Sequence, residues 1–212
     1  MVKYVIINMV IYMIEMNNFD RIDLFNHYNE MESPFIIMTV PIDVTEIVEY
    51  CKVHKHFYAT MGFVLSKAIN EIDAFKCRYK DGKFYYCPKI SANFTERVDE
   101  MIGFFNCDSI DYDDFIKEYD DKKSKLGKYT EEFEDRLDVV WLSCFPWSGF
   151  SGLVSPYDRS ITIPQLIWDK YLLKDDRYMC NLMIMVHHGF ADGYDVGIFI
   201  EKINYYIRNF EK

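Results

Sequence analysis

The 212-residue sequence predicts an α/β fold, a two-layer sandwich of packed helices on a mixed β-sheet. Three observations carry that expectation. Strand-like and helix-like segments are interspersed without strict βαβ alternation. The run YMCNLMIMV (178–186) is almost continuously apolar, as a strand covered on both faces requires. The run FYATMGFVLSKAINEI (57–72) is apolar nearly all round, as a buried helix requires. With no internal repeat, linker or low-complexity tract, residues 1–212 read as a single domain.

The elements follow in order. MVKYVIINMVIYMIEM (1–16) is apolar, but its single lysine, Asn8, Glu15 and missing small-residue cleavage site argue against an export signal. It is also too short to span a bilayer, and a buried strand is expected. DRIDLFNHYNEM (20–31) sets Ile22, Phe25 and Tyr28 on one helical face, with Asp20 as the expected cap. FIIMTVPIDVT (35–45) is β-rich, and Thr45 then opens a short helix through Lys52. FKCRYKDGKFYYCP (75–88) alternates on both sides of Lys80-Asp81-Gly82, the pattern of a hairpin. SANFTER (91–97) reads as another strand. The charge-dense stretch 108–136 reads as two solvated helices over 111–125 and 129–136. VVWLSCF (139–145) and RSITIP (159–164) are strand-like, and Val196, Phe199, Ile203, Tyr206 and Phe210 mark one face of a final helix from Tyr194.

Composition narrows the function classes. Half of the residues are hydrophobic and 17% are aromatic, which argues against disorder. The formal net charge is −10, so phosphate backbones and anionic membrane surfaces are repelled and neither is an expected partner. The six cysteines include no C-x-x-C pair, and Cys51 with His54 and His56 lacks a second ligand pair. Reduced core thiols in a cytoplasmic protein, with no structural metal, are expected.

The segment MVHHGFADG (185–193) stands out. Two of only five histidines sit side by side where an apolar run meets the final helix. A lone histidine there is usually a satisfied core residue, but the spacing His-His-x-x-x-Asp-Gly is far more specific. Other blocks accompany it: SCFPW (143–147), FDRIDLF (19–25) with Tyr28 following, PIDVT, HFYATMGFVLSKAIN, KDGKFYYCP and DKY (169–171). In motif, order and rough spacing the sequence resembles the chloramphenicol acetyltransferase family over about residues 12–210.

The resemblance implies a CoA-dependent acyltransferase-like fold and transfer of an acetyl group from acetyl-CoA to a hydroxyl of chloramphenicol, the basis of antibiotic resistance. His188 is then the general base, consistent with an imidazole that is largely neutral near pH 7. Ser143 is the donor to the tetrahedral oxyanion, a contact worth roughly 3–4 kcal/mol in a dry site. Asp192 and Arg21 resemble a buried ion pair that holds the turn after His188, and breaking such a pair costs about 3–5 kcal/mol. Gly193 would let the chain turn tightly into the last helix. Tyr58, Pro146, Trp147, Lys170 and Tyr171 match CoA-binding positions, and Phe25, Tyr28 and Phe150 match the lining of the acceptor pocket. A homotrimer is implied, with each active site shared by two copies.

Three departures concern the acceptor side. Ile167 stands where the family typically has a hydroxyl residue, Pro34 where some members have a cysteine, and Asp195 where a histidine is common. They leave acetyl transfer intact but open the acceptor, so the same transfer to another small hydroxylated molecule is one alternative; a trimer that binds CoA or an apolar ligand without turnover is another, against which His188, Ser143 and the Arg21–Asp192 pair together argue. The dihydrolipoamide acyltransferases share His-x-x-x-Asp-Gly, but the Ser-x-x-Pro-Trp block favours the antibiotic enzymes. Condensation domains of peptide synthetases share the motif on much longer chains.

Overall fold

A computed structural model of the chain describes residues 4–7, 10–126 and 136–210. The N-terminal apolar run is two strands rather than one, β1 (Tyr4–Ile7) and β2 (Val10–Met16), paired antiparallel. β2 pairs in turn with β5 (Lys83–Tyr86), which closes on β4 (Cys77–Lys80) as the expected hairpin. Its turn puts Asp81 at φ 52° and Gly82 at φ 79°, the left-handed pair that a two-residue hairpin turn needs. These strands form a small sheet in the order β1-β2-β5-β4.

The main sheet contains β3 (Phe35–Asp43), β6 (Ser91–Val98), β7 (Met101–Cys107), β8 (Val139–Phe145), β9 (Gln165–Asp169), β10 (Leu172–Lys174) and β11 (Arg177–His187). β11 lies between β3 on one side and β9 and β10 on the other, so the apolar run at 178–186 is internal as expected. The order continues β9-β8-β6-β7, with β8 parallel to both β9 and β6 and every other pairing antiparallel. The sheet is therefore mixed.

Alternation sends Phe94, Leu142, Leu166, Leu182, Ile184 and Val186 to the face that carries the helices, in one continuous core. The centre of that core is α3 (Phe57–Ile69), with ten buried residues. Gly62 lets α3 approach β6, since a Cβ there would stand 2.3 Å from the Phe94 ring. α2 (Thr45–His54) and α5 (Gly193–Arg208) flank α3; α5 buries Val196, Phe199, Ile203 and Ile207, and Tyr206 and Phe210 pack half-buried against the same core as expected. α4 (Tyr112–Lys125) realises the first of the two acidic helices, and the second, over 129–136, lies outside the described residues except for Arg136.

Two expectations are corrected. α1 (Ile22–Asn29) starts after Arg21, and Asp20 makes no capping bond. RSITIP (159–164) is not a strand. Pro164 has no N–H to give a ladder, and the segment makes single bonds instead, Tyr79 N–H to Thr162 Oγ1 at 3.1 Å and Trp141 N–H to Pro164 O at 3.0 Å. Strands β7, β9 and β10 add to the strands expected from the sequence.

One buried charge ties the two sheets together. The Arg78 side chain, on β4, is fully enclosed. It donates to the carbonyls of Phe75 (2.7 Å), Cys77 (2.8 Å), Leu137 (2.7 Å) and Val139 (2.9 Å), joining the hairpin to the start of β8.

Candidate active site

The chain leaves the sheet at His187 and enters α5 at Gly193, and the residues between form a tight turn. The His187 carbonyl accepts the N–H groups of Phe190 (3.0 Å) and Ala191 (3.1 Å). Asp192 caps α5: its carboxylate accepts from Tyr194 N–H (2.9 Å) and Asp195 N–H (3.4 Å). Asp195 returns the bond, accepting from Asp192 N–H at 2.9 Å, which completes a capping box.

His188 is half-buried at this turn. Its N–H donates to Pro34 O at 2.7 Å, which anchors it to the residue before β3. Its ring lies face to face with Tyr28 of α1, centroids 3.9 Å apart and planes 15° from parallel. Its Nδ1 is 3.1 Å from Ala191 O. A carbonyl oxygen can only accept, so this contact places the ring proton on Nδ1 and the lone pair on Nε2. The backbone of the turn thus selects the tautomer that a base acting through Nε2 needs.

His187 faces the other way. It is 3% exposed and stacked on Phe25 at 4.9 Å. Burial, and then the neighbouring His188, push its pKa down to about 4, so it is neutral at physiological pH. Phe25 itself is enclosed by Tyr79, Phe84, His187 and Phe190. Within one chain it is a floor beneath the turn rather than an open pocket wall.

Arg21 joins α1 to the turn. It donates to Phe190 O (2.9 Å) and meets the carboxylates of Asp192 and Asp195, each at 3.3 Å. The expected buried pair is therefore a three-membered group near solvent, with side-chain exposures of 28% for Arg21, 43% for Asp192 and 20% for Asp195. Solvent screening lowers its value from the expected 3–5 kcal/mol to about 1 kcal/mol. Burial works against the Asp192 charge, but the Tyr194 and Asp195 N–H groups and Arg21 outweigh it and hold the carboxyl below its ordinary value. Asp195, which had read as a departure, is thus part of the framework. Its position three residues after the Asp192 cap was the signal that could have found it.

The remaining candidates gather at the other end of β8 and β9. Ser143 is half-buried on β8 beside Ile167 of β9. Pro146 and Trp147 follow in an exposed turn, with the Trp147 ring 67% exposed and edge-on to Phe145 at 5.3 Å. Lys170 is exposed; Tyr171 packs edge-on against Phe57 (4.7 Å) and Tyr178 (5.6 Å). The Tyr58 hydroxyl is committed to the carbonyls of Thr95 (2.8 Å) and Leu142 (3.3 Å), and its ring packs against Phe94 (5.3 Å) and Trp168 (5.1 Å). Phe150 is held by its N–H on the Asp169 carboxylate at 2.9 Å. Asp169 is buried and also takes Asn181 N–H (2.7 Å) and Asn181 Nδ2 (2.8 Å). No spacing in the sequence signals this organiser, because only the fold pairs residues 169 and 181.

The register separates the two groups. Ser143 lies level with Ile167, and Ile167 with Met183 of β11. His188 is five residues further along, so strand geometry puts it roughly 16 Å beyond Ser143 along the sheet and two strands across. Neither residue lines the large cavity of about 630 Å³ bordered by Tyr79, Asn93, Trp141 and Thr162. Among the described residues, no group of three His, Cys, Asp or Glu side chains is placed to hold a metal. No helix among them is long and apolar enough to cross a membrane.

The helix-backed mixed sheet is the fold of solved acetyltransferases, and the family match makes the chain an acyltransferase. The family model for chloramphenicol acetyltransferase matches residues 9–204, and the chain belongs to that family. It is 27% identical over 200 residues to a chloramphenicol acetyltransferase of Staphylococcus aureus, covering 90% of this chain and 92% of the relative. It is 23% identical over 206 residues to one of Proteus mirabilis, covering 92% and 94%. A solved chloramphenicol acetyltransferase superposes with a TM-score of 0.81 at 19% identity, covering 98% of this chain and all of that one. A probable dihydrolipoamide acetyltransferase from Listeria monocytogenes shares the fold more loosely, with a TM-score of 0.65 at 17% identity over 93% and 94% of the two chains.

Proposed function

We propose that this chain transfers the acetyl group of acetyl-CoA directly to a hydroxyl of chloramphenicol, in the cytoplasm, as a homotrimer that confers resistance to the drug. The observation that carries the reading is the His188 turn. The Ala191 carbonyl holds Nδ1–H, and the basic Nε2 is left for a substrate proton. Nε2 takes the proton of the acceptor hydroxyl as that oxygen forms a bond to the thioester carbonyl carbon. The carbonyl oxygen becomes an oxyanion and accepts a hydrogen bond from the Ser143 hydroxyl. Collapse of the adduct breaks the carbon–sulfur bond, and the departing thiolate of CoA takes the proton back from Nε2. No acyl-enzyme forms.

The separation of Ser143 from His188 supports a site shared by two copies, one bringing the base and the other the oxyanion donor. Tyr58, Pro146, Trp147, Lys170 and Tyr171 lie in segments that share the Ser143 end of the sheet. They suit CoA as aromatic faces and one cation. Tyr28 is the acceptor-side wall against the base, with Phe25 beneath it, and Phe150 belongs to the Ser143 side.

A second reading, transfer to a different small alcohol, is favoured by Ile167. It sits beside Ser143 in the register and offers no hydroxyl. Purified protein incubated with acetyl-CoA and chloramphenicol is expected to release free thiol. Release with other alcohols alone would move the assignment to the second reading. A folded assembly that releases none with any alcohol, while still binding CoA, would leave the non-catalytic binder.

A further inference from the structure

We propose that His187 is a positioning residue for His188, an acceptor that locks the turn carrying the base. This rests on the reading of His188 as the base. The turn is closed by four interlocking bonds. His187 Nδ1 accepts Gly189 N–H at 3.1 Å, His187 O accepts Phe190 N–H at 3.0 Å and Ala191 N–H at 3.1 Å, and Ala191 O receives His188 Nδ1–H at 3.1 Å. Three of the four end on His187. Because Nδ1 accepts, the His187 ring proton is on Nε2, the opposite tautomer to that of His188. Two adjacent imidazoles thus hold their protons on opposite nitrogens, each set by one backbone group of the same turn.

The ring is fixed for this task. Phe25 stacks on it, Phe35 meets it edge-on at 5.6 Å and Phe190 lies at 5.5 Å. Gly189 is forced by the same packing, since a Cβ there would stand 2.7 Å from Phe25 Cα and 3.0 Å from His187 Cε1. A small void of about 10 Å³ borders the ring, lined also by Thr162, Pro164 and Phe190. Nε2 is buried with no hydrogen-bond partner among the described residues. The charged and titratable groups nearby are His188, Arg78 and Cys77. The Arg78 guanidinium is occupied by four carbonyls. An uncharged acceptor, not a titrating group, is what the site selects.

The test uses two variants of the full chain, His187→Phe and His187→Asn. Phenylalanine keeps the ring stack and removes the acceptor, whereas asparagine can set Oδ1 where Nδ1 stands. Assembly size and melting temperature report folding. With chloramphenicol as acceptor, His187→Phe is expected to lose roughly 10–100-fold in kcat with KM for acetyl-CoA nearly unchanged, as for a base misplaced by a fraction of an ångström. His187→Asn is expected to recover most of that loss. Nitrogen-15 spectra of histidine-labelled wild type are expected to show one ring, missing from both variants, as a neutral Nε2–H tautomer from pH 5 to 8. In His187→Phe the His188 ring should lose its fixed Nδ1–H form. A folded His187→Phe protein with wild-type kcat, an asparagine variant as poor as the phenylalanine one, or an Nδ1–H tautomer at His187 would each overturn the proposal. If the phenylalanine variant does not fold, the wild-type spectrum and His187→Asn decide. If the wild type transfers no acetyl group, the functional reading falls while the ring spectra still judge the turn.

Discussion

Co-expression of His188→Ala chains with Ser143→Ala chains is expected to yield activity that neither variant has alone. The reason is geometric. A tetrahedral adduct needs Nε2 and the serine hydroxyl each within about 3 Å of reacting atoms. Within one chain the register sets the two residues roughly 16 Å apart along the sheet, with a further two strands of lateral separation. Taken singly, loss of the base should cost about 10²–10⁴ in turnover, and loss of the oxyanion donor about 10²–10³. In a cyclic assembly with heterologous interfaces, a site is intact when one copy keeps His188 and the neighbour it faces keeps Ser143. Every trimer that carries both variants has one such ordered pairing among its three interfaces, so about a third of wild-type activity should return. The assay is thiol release from acetyl-CoA by doubly tagged, purified mixed assemblies. Mixed assemblies no more active than their parents would refute the shared site and would require a rearrangement that joins Ser143 to His188 within one chain.

Other expectations concern stability. Arg78→Met should lower unfolding free energy by about 3–5 kcal/mol, because four buried carbonyls lose their donor, and Arg78→Lys should recover only part of it with three donors; urea titration reads both. Gly189→Ala should cost about 1–3 kcal/mol, since its Cβ meets Phe25 backbone, and should lower turnover as well, because the turn carries His188. The acid limb of stability should involve Asp108. Burial raises its pKa, but hydrogen bonds from Arg136 and Ser91 and the Arg136 charge hold it down to about 2, against 3.8 unfolded. A depressed carboxyl contributes stability that is present above pH 3.8 and lost as pH falls through 2. Asp108→Asn should flatten the denaturation midpoint over that window, and an unchanged slope would contradict the assignment.

Much of the architecture was legible because it is local. The α3 apolar surface, the Asp81-Gly82 turn and the uninterrupted apolar run of β11 are short-range patterns with one structural solution each. The failures have physical causes too. RSITIP alternates like a strand, yet Pro164 has no N–H to donate and its neighbours bond loop by loop. β7 carries Gly103 in its interior, and β9 lies beside that proline, so neither advertised itself. Asp20 looked like a cap, but the helix began one residue later, where Arg21 is drawn to Asp192 and Asp195.

The candidate site divides along the same line. The pair His187-His188, the aspartate-glycine that follows, Arg21 and the Ser143 block are all visible in the chain, because they are side chains at fixed spacings. Which nitrogen of His188 bears the proton is not, because a backbone carbonyl decides it and every residue has one. Nor could spacing tell that the two histidines hold opposite tautomers, that Asp195 shares Arg21, or that Ser143 and His188 stand far apart on one sheet. Those depend on strand register and on the closure of one turn, which exist only once residues distant in sequence have packed together.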